Sequence, residues 1–194
     1  MRNTSFFFLI GLLLFCSCKP KGNNVTANKT SKEDTSHFFP VVQYLQSQIA
    51  EVDRTPYFIY KIDAVNGRKD SIAINTPVFK ELAAKFLQPD INDKALKKHY
   101  RESIFDDQTT KSFTISYTTD NKELEIQNID VLLQQDGRTV KRVFIRKFFN
   151  YPDSSAIEQL SWKPGERFQI NRLVQKPGNK ESSSETDVVW NEKS

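Results

Sequence analysis

After Ser112 the chain changes its period, and that change limits the fold more than any other feature. Phe113, Ile115 and Tyr117 alternate with Ser and Thr, the two-residue repeat of a strand that buries one face. Similar runs continue to about residue 174. They are closed by Asp120-Asn121, Asp136-Gly137, Tyr151-Pro152-Asp153 and Lys163-Pro164-Gly165. Loops this short join antiparallel neighbours, whereas parallel strands need a long crossover. The expectation is an antiparallel meander of about five strands. Within 123–135 the apolar phase switches from Leu124 and Ile126 to Ile129, Val131 and Leu133. A slip of one residue exchanges faces, so a bulge is expected near Gln127-Asn128, bending the sheet.

Before residue 112 the period is mostly helical. Phe38, Val41, Val42, Leu45, Ile49 and Val52 recur at steps of three and four, predicting a helix over 40–53. Residues 57–65 and 68–74 read as strands around Asn66-Gly67, a pair that tolerates the positive φ of a two-residue hairpin. Thr76 as cap and Pro77 in the first turn open a second helix, to about Leu87. A third, short helix is expected over 92–100. Residues 101–111 read as a loop: Glu102, Asp106 and Asp107 gather acid there, but adjacent residues of an extended chain point apart. Residues 176–187 read as loose, and Val188-Val189-Trp190 as a short edge strand or an apolar end. The fold class is α+β. An N-terminal helix, a β-hairpin and two helices precede the meander, which forms a curved sheet packed on the helices. The expected organisation is a single domain over 37–175 and a loose tail over 176–194.

The chain begins differently. Residues 6–15 are apolar throughout, with Gly11 the one small residue. Ten helical residues rise roughly 15 Å, half of a bilayer core of about 30 Å. That is too short to span but suits the apolar part of a secretory signal. Phe15-Cys16-Ser17-Cys18 follows and resembles the lipobox of bacterial lipoproteins. Ser17 takes the small position and Cys18 that of the acylated cysteine. Phe15 and Cys16 depart from the commoner Leu and small residue. The resemblance covers these eighteen residues only. It implies a signal peptide over 1–17, a diacylglyceryl group on Cys18 and the lipid bilayer as a partner through that group. A single acyl chain holds marginally, at about 0.8 kcal/mol per methylene, so the family's two or three chains make retention durable. In the family an Asp after the cysteine favours the inner membrane. Lys19 stands there, which implies the outer membrane. Lys19-Pro20-Lys21 lacks the acidic run linked to surface export, which points to the periplasmic face. Residues 18–36, rich in Lys, Asn, Thr and Ser, read as a flexible tether.

Composition narrows the chemistry. Cys16 and Cys18 are the only cysteines, so cleavage before Cys18 leaves one acylated thiol, with no intrachain disulfide and no thiolate metal site. His37 and His99 are the only histidines, which argues against catalytic zinc. No cofactor is expected. Net charge is +4, with cations dispersed among acids, and no nucleic-acid module is recognisable. Arg138, Lys141, Arg142, Arg146 and Lys147 nevertheless crowd one strand and its turn without an intervening acid. Alternation places Arg142 and Arg146 with Phe144 and Phe148, and Lys141 and Lys147 with Val143 and Ile145. A cationic, aromatic face suits an anionic lipid, an acidic glycan or an acidic envelope protein. The plainer alternative is a solvated edge whose cations discourage aggregation.

Three functions are compatible with this. The foremost is a non-catalytic envelope lipoprotein, a binding or scaffold module. The second is a carrier of a lipid or other apolar ligand, which needs an enclosed apolar cavity between sheet and helices. The third is a hydrolase using Asp106 and Asp107, although a nucleophile motif such as G-x-S-x-G is missing.

Overall fold

The structure, a computed structural model, describes residues 38–65, 68–178 and 181–191. Helix α1 spans Val41–Arg54, α2 spans Thr76–Ala83 and runs on into a 3₁₀ turn at Ala84–Phe86, and α3 spans Lys94–Lys97. The strands are β1 (Ile59–Val65), β2 (Arg68–Ile74), β3 (Arg101–Asp107), β4 (Ser112–Thr118), β5 (Ile126–Gln134), β6 (Val140–Tyr151), β7 (Ser154–Lys163), β8 (Arg167–Gln175) and β9 (Ser182–Val189). All nine form one antiparallel sheet in the order β2-β1-β9-β8-β7-β6-β5-β4-β3. The chain is thus α+β with an antiparallel meander, as expected, but the sheet is larger. The expected signal segment, Cys18, the expected tether and the expected Asn66-Gly67 turn lie outside the described residues. Val65 and Arg68 pair across that turn. No helix among the described residues is long and apolar enough to cross a membrane.

Three expectations are corrected. Residues 101–107 form β3, not a loop. β3 is an edge strand, with Ile104 64% and Phe105 65% exposed. With neither face buried, it carries no alternation that could be read. Most of the stretch expected to be loose, residues 182–187, belongs to β9, which lies inside the sheet between β8 and β1. Its Ser182-Ser183-Ser184 run has no apolar signal; main-chain pairing on both sides places it. This one strand joins the β1–β2 hairpin to the meander. The third helix shrinks to Lys94–Lys97. A smaller correction concerns α2: Asn75, not Thr76, is the cap, its side chain accepting from the Val78 N–H at 3.1 Å.

The bulge is where the phase switch puts it. Pairing of β5 with β6 slips between Ile126 and Asn128, and again between Leu132 and Leu133. The first slip leaves Gln127 without a partner on β6, and the second leaves Lys141 without one on β5.

One face of the sheet, here called inner, carries the helices. Its Tyr117, Ile129, Val131, Val143, Leu160, Trp162, Phe168 and Val188 are buried with Val41, Leu45, Phe79 and Phe86. The centre is aromatic. Trp162 stacks on Phe168 at 5.1 Å, and Phe86 meets it edge-on at 5.2 Å. Phe79 and Trp190 close the cluster at 5.3 Å. Such pairs add about 0.5–1.5 kcal/mol each beyond area burial. The incoming chain is pinned to this core. The Phe39 N–H donates to the Tyr117 hydroxyl at 2.7 Å, and Asn92 Nδ2 donates to the Phe39 carbonyl at 3.3 Å. Burial raises the Tyr117 phenol well above its ordinary pKa, so it stays a neutral hydrogen-bonding group.

Candidate functional site

Strand β6 distributes the four candidate cations among three environments. Arg142 and Arg146 lie on the outer face with Phe144 and Phe148, as alternation requires: in the register Phe144 opposes Ser161, Arg146 opposes Gln159 and Phe148 opposes Ile157. Lys141 is exposed at the second bulge. Lys147 is different. It lies on the inner face, 4% exposed. Its Nζ donates to the Gln88 carbonyl and to Glu125 Oε1, the latter at 2.9 Å. The stem is apolar and long enough to cross a packed layer, and the head finds an anion at the layer's rim. Lys147 is therefore a structural cation and leaves the candidate surface.

The two outer arginines also differ. Arg142 is half-buried and committed: its Nη1 donates to Ser161 Oγ at 3.1 Å, and its guanidinium lies 5.7 Å from the Phe144 ring centre. Arg146 is exposed and has no hydrogen-bond or ion-pair partner among the described residues. It borders an open depression of about 560 Å³ whose walls include Phe148, Ile157, Asn128, Gln127 and Lys122. Among the described residues, two cations line this depression and no carboxylate does. The nearest outer-face acid in the ladder, Asp130, opposes Phe144. Its Oδ1 already accepts from Ser116 Oγ at 2.6 Å and Asn128 Nδ2 at 3.2 Å.

Lys122 and Gln127 are additions the sequence did not single out. Lys122 sits in the loop between β4 and β5, and the bulge brings it in. Displaced from the ladder, the Gln127 side chain turns to the loop and donates to the carbonyls of Asn121 at 3.2 Å and Leu124 at 2.5 Å. Thr119 Oγ1 accepts from the Asn121 N–H at 3.1 Å, and Asn121 Oδ1 accepts from the Glu123 N–H at 3.0 Å. The loop is thus wired to the bulge, and Lys122 with it. The phase switch was the readable signal for this; the direction of the Gln127 side chain was not.

This arrangement can bind rather than react. A free guanidinium offers five donors in a planar fork matched to carboxylate or phosphate. A second cation, two amides and an aromatic wall stand beside it. The other acids proposed for chemistry are placed apart. In β3 the register sets Asp106 opposite Phe113 and Asp107 opposite Ser112, so they point to opposite faces. Asp107 is engaged by its own turn, accepting from Thr110 Oγ1 at 2.7 Å and from the Thr109 N–H at 2.9 Å. These bonds, with the Thr110 hydroxyl foremost, hold its carboxyl below the usual range. No cluster of three or more metal-ligating side chains occurs among the described residues. Compared with known protein families, curated proteins and solved structures, the chain shows no match.

Proposed function

We propose that this chain is an envelope lipoprotein, held on the periplasmic side of the outer membrane through acylated Cys18, whose domain is a non-catalytic binding module for an anionic group. The observation that carries the binding half is the Arg146 guanidinium, without a partner among the described residues, beside Lys122 in a depression that no described carboxylate lines. The anchor half rests on the leader and on Ser17-Cys18.

The carrier reading has less behind it. The space between sheet and helices is occupied by the Trp162, Phe168, Phe79, Phe86 and Trp190 cluster, and the depression at Arg146 is on the opposite face.

Two measurements test the proposal. Cys18→Ala abolishes incorporation of a fatty-acid probe; continued labelling removes the anchor. Arg146→Glu combined with Lys122→Glu lowers affinity for digalacturonate or for phosphatidylglycerol vesicles by about tenfold or more. The wild-type interaction weakens with added salt. Wild-type affinity in a folded double variant removes the anion site.

A further inference from the structure

Arg146 is one member of a row that crosses almost the whole sheet. Following the pairings outward on the outer face, Thr118 opposes Asn128, Asn128 opposes Arg146 and Arg146 opposes Gln159. Gln159 opposes Asn171, Asn171 opposes Glu185, Glu185 opposes Ala64 and Ala64 opposes Lys69. Seven of these eight residues are polar. One step along the strands runs a second row, Phe148, Ile157, Leu173 and Ser183, which is apolar over three of its four members. At about 4.8 Å per strand, eight strands span roughly 34 Å.

The surface is hollowed along this pair of rows. The depression at Arg146 ends at Ile157. A second depression, of about 500 Å³, begins at Ile157 and continues past Gln159, Asn171, Leu173 and Glu185 to Lys69. Together they make a trough across the strands with one polar wall and one apolar wall. The Gln159 and Asn171 side chains are exposed in it and have no hydrogen-bond partner among the described residues.

We infer that this trough binds a linear acidic glycan, laid across the strands from Lys122 to Lys69. This rests on the anion-site reading above and names its ligand class. Several observations select a glycan. Except for β2 at the sheet edge, the strands under the trough are paired on both sides, so their main-chain groups are spent within the ladder. A peptide crossing them cannot add as a strand, the mode that gives extended peptides their affinity. What remains is recognition by side-chain amides repeating at the strand spacing, with apolar side chains alongside. A chain of pyranose rings offers hydroxyls at each step and an apolar C–H face, and each ring advances by about one strand spacing. Charge selects an acidic chain: among the described residues Lys122, Arg146, Lys69 and Arg172, the last paired with Glu158, line the trough with one carboxylate, Glu185. Arg146 and Lys69 stand five strands apart in the row, so their charges are met by acids on separate sugars.

The test uses the full chain in detergent and calorimetric titration with galacturonate oligomers of two and eight units. Maltooctaose serves as the neutral control and an eight-residue polyglutamate as the acidic peptide control. The octamer binds about tenfold or more tightly than the dimer, because linked sugars engage successive subsites, and tighter than either control. Gln159→Ala with Asn171→Ala narrows the gap between octamer and dimer by weakening the octamer. Equal affinity of dimer and octamer, an unaffected double variant, or polyglutamate binding as tightly as the octamer each overturns the glycan trough. If Arg146→Glu still weakens dimer binding about tenfold in that event, the anion site stands without it. If Arg146→Glu changes neither oligomer, both readings fall.

Discussion

Arg146 and Lys147 are neighbours in one strand with the same formal charge, yet the sheet gives them opposite duties. Lys147 points inward, reaches past the core and is satisfied by Glu125 and the Gln88 carbonyl. Arg146 points outward into a polar row and has no partner among the described residues. The same contrast holds for the two faces as wholes. The inner face is an aromatic layer closed by helices, and its buried charges are paired: Glu158, 3% exposed, accepts from Arg172 Nη1 at 2.5 Å. The outer face keeps amides and cations available. Charge density along a sequence therefore says little about binding until the face of each residue is known.

The contrast can be broken at several points. Lys147→Ala removes a buried cation from its packed site and strips the Gln88 carbonyl and the Glu125 carboxylate of their partner, and is expected to cost about 2–3 kcal/mol. Arg146→Ala is expected to stay within about 0.5 kcal/mol. Urea unfolding of the two variants measures both, and equal losses would erase the distinction. Within the outer face, Arg146→Glu weakens digalacturonate binding about tenfold, whereas Arg142→Glu has the smaller effect because Ser161 and Phe144 already hold that guanidinium. Calorimetry at two salt concentrations ranks them, and the reverse order would move the site toward Arg142.

Asp187 sharpens the comparison, because it is an outer-face acid that is nonetheless buried. Burial raises its carboxyl above the usual aspartate range, against the pull of Arg167 at 3.1 Å, and its Oδ1 has no partner among the described residues. A raised carboxyl favours the fold below the ordinary aspartate value of about 3.9, and that contribution is lost as pH climbs through the folded value. Asp187→Asn removes the dependence, so the variant's Tm gains on the wild type as pH rises from 4 to 7. A constant difference would show that Asp187 is no burden.

The smallest effect belongs to the turns. Asp136 accepts from the Arg138 and Thr139 N–H groups at 2.8 Å each, and bonds from the Thr139 hydroxyl and these amides lower its carboxyl. A lowered carboxyl contributes above the ordinary value and loses its contribution as pH falls through the folded one. Amide exchange of the β5–β6 turn is expected to quicken, relative to the rest of the sheet, below about pH 4.

Much of this was written locally. The α1 stripe, the hairpin strands, the bulge at Gln127 and the sharing of a face by Arg142, Phe144, Arg146 and Phe148 follow from spacing of three, four or two residues. So did the inward set of Lys147 with Val143 and Ile145; what alternation could not say is that this face is covered. β3 and β9 escaped notice for opposite reasons. β3 has no buried face to imprint a pattern, while the serines of β9 are placed by main-chain pairing, which is indifferent to side chains.

The sequence by itself determined the alternating strands and their turns, the apolar run over residues 6–15 with Cys16 and Cys18 after it, and the scarcity of thiols and imidazoles. These are properties of neighbours along the chain, where covalent geometry sets which side chains share a face. Only the tertiary structure decided that Arg146 stands in line with Asn128, Gln159, Asn171 and Lys69. Those residues come from five strands, and their alignment depends on the register of each strand pair. Register is set by the summed burial of the inner face and by where the bulges fall, not by any residue in the row itself.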